Sequence, residues 1–334
     1  MRKSSKTKTA RQVNSNLTQW YHQTGNTSLA NYAFQGFEKN LYFTSDRTKV
    51  LDENFQLADG QPLKGFGLEI EVESSYISSE NALAFSLKNL AFTELPANLF
   101  KFQEDGSLRG GNSSIEAITQ VMTKEFIRNN YYGFKYMFDV FKVYGVSASR
   151  SGNCGMHCNM SVGMFGRDYQ TQQQAIMKFV YFVNKHYDLA CDLLKRGRDR
   201  TGYCARIRSF TDKANCKSYD LSATSEYNSD HGVCFNLAHF NTGRVELRLV
   251  GGQPNYAGFR NTMEVIFHLV EACKKLSWDA LDNPVKVFTG CNKYVLSRLA
   301  DCTADRYPYS ASLTIEQYNQ IKDLADMTVD FGNF

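Results

Sequence analysis

The stretch "KGFGLEIEVESSY", residues 64–76, constrains the fold more than any other part of the chain. Apolar Leu68, Ile70 and Val72 alternate with Glu69, Glu71 and Glu73. A period of two predicts a β-strand over 65–74, with all three carboxylates on one face. Carboxylates at i and i+2 lie about 7 Å apart on such a strand. Their repulsion is about 0.6 kcal/mol in water and about 2 kcal/mol at an effective dielectric of 20. A polar sheet face that simply meets water usually mixes Lys, Thr, Ser and Glu. A face with carboxylates alone invites a cation.

Other segments carry the same pattern. In "CGMHCNMS" Cys154, Met156, Cys158 and Met160 form an apolar side, and His157, Asn159 and Ser161 a polar one. In "RVELRLV" Val245, Leu247 and Leu249 oppose Glu246 and Arg248. "SSIEAITQ" reads as a further strand, at 113–121, bearing Glu116. Together these strands offer oxygen donors, one imidazole and arginine. Hard oxygen ligands with few thiolates favour Mg²⁺, or alternatively Mn²⁺, over Zn²⁺. A sheet holding such an ion is a natural seat for a nucleoside triphosphate. Zinc on Cys154, His157 and Cys158 is disfavoured, because alternation points both thiols away from the imidazole and no second ligand pair follows. The chain has no G-x-x-x-x-G-K-[ST], no G-x-G-x-x-G and no G-x-S-x-G, which argues against P-loop, Rossmann and α/β-hydrolase sites.

Lys195, Arg196, Arg198, Arg200, Arg206 and Arg208 crowd into fourteen residues. Arginine forks suit phosphates and carboxylates equally, and a solvated charge run is the simpler alternative. Residues 1–50 hold eight Lys or Arg against two acids. We read 1–60 as a basic, partly flexible extension and 61–334 as one catalytic domain with a helical C-terminal part. Net charge of +4 is too mild to imply nucleic-acid binding. No apolar run reaches the ~20 residues of a membrane helix, and the N-terminus lacks the apolar segment of a secretory signal. Nine scattered cysteines favour free thiols and a cytoplasmic setting.

Helices are expected from Ser79 or Asn81 onward, over 124–145 with a stripe of Ile127, Tyr131, Phe134, Phe138 and Phe141, over 172–194, near 257–276 and at 314–326. Turns are expected at Asp105-Gly106 and Gly110-Gly111. Interleaved strands and helices predict an α+β fold with helices on one face of a mainly antiparallel sheet.

In this order the segments resemble the amidoligases of the carboxylate–amine ligase (glutamine synthetase-like) superfamily, from about Phe66 to Gly252. "GLEIEVE" resembles the family's G-x-E-x-E strand, and "EDGSLRGGNSSIEAITQ" its D-G-S turn and Glu-bearing strand. "GMHCNMS" is similar to its G-x-H-x-H strand, "RTGYCARIR" to its arginine loop, and "VCFNLAHFNTGRVELRLVGG" to its Asn-bearing strand and v-E-f-R. The resemblance implies a curved, mainly antiparallel sheet with helices on its convex face, binding ATP and Mg²⁺ on the concave one. ATP would phosphorylate a carboxylate, and an amine would attack the acyl phosphate to give an amide on a peptide, protein or small molecule. Glu69, Glu71, Glu116, Glu246 and His157 would hold metal. Arg248, with Arg206 or Arg208, would neutralise the phosphoryl group and the substrate carboxylate. Asn236, Ser161, Arg200 and Asn159 would contact nucleotide or substrate. Asn159 stands where the family has a second His, and an amide carries no charge. Members of the family modify peptides, proteins or cell-wall material, some of them in phages, which implies a microbial cytoplasm or that of a phage's host. A phosphotransferase on the same sheet, or a binding protein that keeps the scaffold, are the alternatives.

Overall fold

β3 (Phe66–Ser74) forms where the alternation of GLEIEVE predicts it. The computed structural model describes residues 39–52, 56–74, 77, 83–84, 87–96, 98–103, 114–143, 145–147, 154–196, 204–223, 232–303 and 315–326. The basic leader up to 38, the helix cap at Ser79 or Asn81, the turns at Asp105-Gly106 and Gly110-Gly111, and Arg198 and Arg200 lie outside them. The other strands are β1 (Leu41–Phe43), β2 (Thr48–Val50), β4 (Phe100–Gln103), β5 (Ser114–Thr119), β6 (Val121–Met122), β7 (Val146–Ser147), β8 (Met156–Ser161), β9 (Phe235–Asn236) and β10 (Arg244–Leu247). The helices are α1 (Lys124–Asn129), α2 (Tyr131–Val143), α3 (Tyr169–Lys185), α4 (Tyr187–Leu193), α5 (Lys213–Ser218), α6 (Tyr256–Lys275), α7 (Pro284–Phe288), α8 (Lys293–Thr303) and α9 (Ile315–Asp326). The chain is α+β, and its pairing is mixed but mainly antiparallel.

Two compact units divide it. One takes the described residues up to Gln61, Gly65–His157 and Gly252–Tyr256. The other takes Pro62–Lys64, Cys158–Gly251 and the described residues from Ala257 on.

In the first unit β3 pairs antiparallel with β5, setting Glu71 opposite Glu116 and Ile70 opposite Ala117. β4 lies beyond β5, with Gln103 opposite Glu116. β6 joins β3 at Phe66 and runs parallel to β1, the one parallel strand pair described. Phe66, Leu68, Ile70, Val72, Ile115 and Ala117 are all buried. The helix expected over 124–145 breaks in two at Asn130, whose side-chain amide donates to Phe126 O at 2.9 Å. Ile127, Phe134, Phe138 and Phe141 are buried as expected, but Tyr131 is exposed and Met137 takes the inward place. Phe141 meets Phe92 edge-on at 6.2 Å, and Phe92 stacks on Phe100 at 4.1 Å.

In the second unit β10 pairs antiparallel with β8 and β9. Glu246 lies opposite Asn159 on one side and Asn236 on the other, and Arg244 lies opposite Ser161. Cys158, Met160, Val245, Leu247 and Phe235 face the other way and are fully buried. α3 starts at a capping box, in which Asp168 Oδ1 accepts from Thr171 N at 2.9 Å. Its Phe179 packs on Phe235 at 5.3 Å between ring centroids. The helix expected over 172–194 also breaks, at His186, whose Nε2 bonds Leu281 O at 2.9 Å. Arg298 of α8 is buried and donates to Gly258 O and Thr262 Oγ1 of α6, both at 2.9 Å.

Just after α4, Lys195 adopts a left-handed φ of 60°, and Gly251 N donates to Leu194 O at 2.9 Å. A Cβ on Gly251 would stand 2.0 Å from Lys195 O and 2.5 Å from its carbonyl carbon, both backbone atoms. Gly251→Ala is therefore expected to lower unfolding free energy by about 1–3 kcal/mol, the usual cost of forced overpacking. Urea unfolding of the variant measures it, and a wild-type midpoint would contradict the close approach.

Candidate functional site

Alternation on β3 sends Glu69 and Glu71 to the side opposite the apolar core, and pairing with β5 brings Glu116 beside them. The start of β8 brings His157. Glu71 N donates to Gly155 O at 3.2 Å, and the Gly155 amide in turn donates to Glu71 Oε2. His157 Nδ1 lies 3.0 Å from Glu69 Oε2, and its Nε2 lies 3.8 Å from Glu71 Oε1. Ligand atoms of Glu69, Glu116 and His157 all fall within 4.8 Å of one another. This face does not meet open water: Glu71 is 5% exposed and Glu116 6%, and Glu69, the most open, has a side chain 21% exposed. Glu73 is buried as well, opposite Ser114 and Ser147.

Buried carboxylates need compensation. The Gly155 amide serves Glu71, the imidazole serves Glu69, and Gln103 Nε2 donates to Glu116 Oε2 at 3.3 Å. Two carboxylate oxygens and one imidazole nitrogen at this separation fit a single divalent cation, whose ligand distances run from about 2.0 Å for Mg²⁺ to about 2.6 Å for Ca²⁺. Glu71 accepts from the Gly155 amide, so it ties the residue just before β8 to β3.

The second unit gathers a different set. Glu246 Oε1 accepts from Arg248 Nη1 at 2.7 Å, and its Oε2 from Asn236 Nδ2 at 3.1 Å. Arg248 Nε is buried without a hydrogen-bond partner. Asn159 Oδ1 accepts from Arg244 Nη1 at 2.7 Å. Ser161 is buried opposite Arg244. Arg206 is exposed but tethered at Nε, which donates to Asn184 O at 2.8 Å. Arg208 is exposed, at the start of a 3-10 turn over 208–211.

Asn184 ties this unit together from within α3. It is fully buried, its Nδ2 donates to Val180 O at 2.8 Å, and its Oδ1 accepts from Ile207 N at 2.6 Å and Cys234 Sγ at 3.4 Å. Burial, and then the neighbouring Cys204, push the Cys234 thiol up to about 12, so it stays protonated and can donate. Cys234 O accepts from Arg248 N at 3.0 Å. One amide thus connects the backbone of the Arg206 segment to that of Arg248.

Sequence reasoning missed Gln103, Asn184 and Arg244. Arg244 was within reach, since it shares a two-residue period with Glu246 and Arg248. Asn184 shows only as a lone amide in an apolar helix, and Gln103 carries no signal of its own. No disulfide joins any of the nine cysteines. Among the described residues the one cluster of metal-ligating side chains is Glu69, Glu116 and His157, with no thiol in it. No described helix is long and apolar enough to cross a membrane. No protein-family model matches the chain, and no curated protein matches it.

Asn184→Leu would leave the half-buried Ile207 N without its acceptor. The expected loss is about 1–3 kcal/mol of stability, with faster amide exchange at Ile207 than in wild type. Unchanged exchange there would rule out the anchoring role.

Proposed function

We propose that this chain is an ATP- and Mg²⁺-dependent ligase that joins a carboxylate to an amine, on a curved, glutamine synthetase-like sheet. The observation that carries the proposal is the convergence of Glu69, Glu116 and His157, on strands whose sequences resemble the amidoligases. A carboxylate oxygen of the substrate attacks the γ-phosphorus of ATP, and ADP leaves. The amine nitrogen then attacks the acyl carbon and loses its proton, and phosphate departs. Such chemistry asks a protein for positioning and charge neutralisation rather than covalent help.

Glu69, Glu116 and His157 would hold the cation, with Glu71 and Glu246 as the remaining carboxylates that the resemblance allots to metal. A bound divalent ion supplies charge neutralisation at the phosphate oxygens. Glu71 keeps the start of β8 aligned with β3 through Gly155, which fixes where the imidazole sits. Gln103 holds Glu116 in one orientation. Arg248 and Arg206 each keep guanidinium nitrogens beyond those engaged by the protein, suited to anionic oxygens. A supply of ATP implies a cytoplasm, microbial or of a phage's host.

Two measurements bear on this. Mn²⁺ titration should give a binding event that Gln103→Leu weakens by about 10–100-fold, the usual effect of removing a group that orients a metal ligand. Incubation with ATP, Mg²⁺ and a panel of amino acids, peptides and amines should release ADP and form an amide detectable by mass spectrometry. Glu116→Gln should lower that turnover by about 100-fold or more. Absence of ADP and amide across the panel would reject the ligase, and a stable phosphorylated product without amide would indicate a phosphotransferase instead.

A further inference from the structure

Arg244, Glu246 and Arg248 follow one another at a period of two, so the line carries two guanidinium groups and one carboxylate on one face. Glu246 serves Arg248 and Asn236. Arg244 is half-buried, and its Nη1 bonds only the neutral Asn159 Oδ1, at 2.7 Å. Among the described residues no carboxylate lies within ion-pair distance of it. A partly buried cation without an acid is costly to keep. A fork with one nitrogen pinned and an edge unused is, however, well prepared to take an oxyanion, because little rotamer freedom remains to be lost.

We propose that Arg244 is an anion-binding residue that grips a phosphate oxygen of the nucleotide, with Asn159 as its positioning partner. The identity of the anion rests on the ligase proposal above. It also accounts for Asn159 itself. The position where the resemblance expects a second histidine holds a neutral amide, and Arg244, two residues along β10 from Glu246, the residue opposite Asn159, supplies a positive charge beside it.

Isothermal titration of the full chain with ATP and, separately, with inorganic tripolyphosphate tests this. Wild type should bind both. Arg244→Gln should weaken both by about tenfold, the worth of one charge-assisted contact, without a shift in the thermal midpoint. Asn159→Ala should weaken them less, and should add nothing in the Arg244→Gln background. Should Arg244→Gln fold poorly, Arg244→Lys keeps the charge without the fork and should still bind several-fold more weakly than wild type. Wild-type affinity in both Arg244 variants would overturn the assignment and leave the ligase proposal standing, as would a loss confined to ATP. Failure of wild type to bind either anion would overturn the nucleotide itself, and this assignment with it.

Discussion

The first unit depends on keeping carboxylates out of water on the side of β3 opposite its apolar core. Glu71 and Glu116 stand directly opposite each other on adjacent strands, a pairing that would normally destabilise a sheet. Compensating contacts come from neighbouring segments, among them the Gly155 amide, the His157 ring and the Gln103 amide. The order β4–β5–β3 with the start of β8 is thus the order in which the charges are met. A purely structural sheet would achieve the same burial with Val or Thr at lower cost. The acids there include Glu69 and Glu116, which with His157 form a cluster able to hold a metal ion.

The second unit solves the converse problem. Its strand face is cationic at both ends of β10, and the single acid between the arginines is shared by Arg248 and Asn236. The backbone beneath is set by α3, where the Asn184 amide reaches the Arg206 segment and Cys234 together. Three elements distant in sequence hold their spacing through one buried side chain. Rotation of α3 would move both arginine-bearing segments at once.

How much of this could be read from the chain follows from what periodicity reports. Period two reports a face, so Glu69, Glu71, His157, Glu246 and Arg248 were legible as polar sides of strands before any partner was known. The helical stripe was legible only between breaks. Asn130 restarts the helix, and Tyr131, the first residue after the restart, is exposed, while Met137 is buried along with Phe134, Phe138 and Phe141. The His186 break arises from a carbonyl 95 residues further along the chain, and no local pattern encodes that. Asn184 and Gln103 matter through partners on other elements, so their roles appear only once the strands and helices are assembled. The α+β class was legible from the alternation of element types, whereas the division into two units was not, because the polypeptide shows no linker at their boundaries.

That division has a consequence for how the molecule can be taken apart. Neither unit is a continuous stretch of sequence, and β8 passes from one to the other between His157 and Cys158. A fragment ending at 157 would keep the acids and the imidazole, lose every arginine of the basic face, and sever a strand. Truncation from either terminus removes material without isolating a unit, and gene fusion at the ends cannot exchange one half for another. The chain crosses between the two units five times, so no single cut separates them.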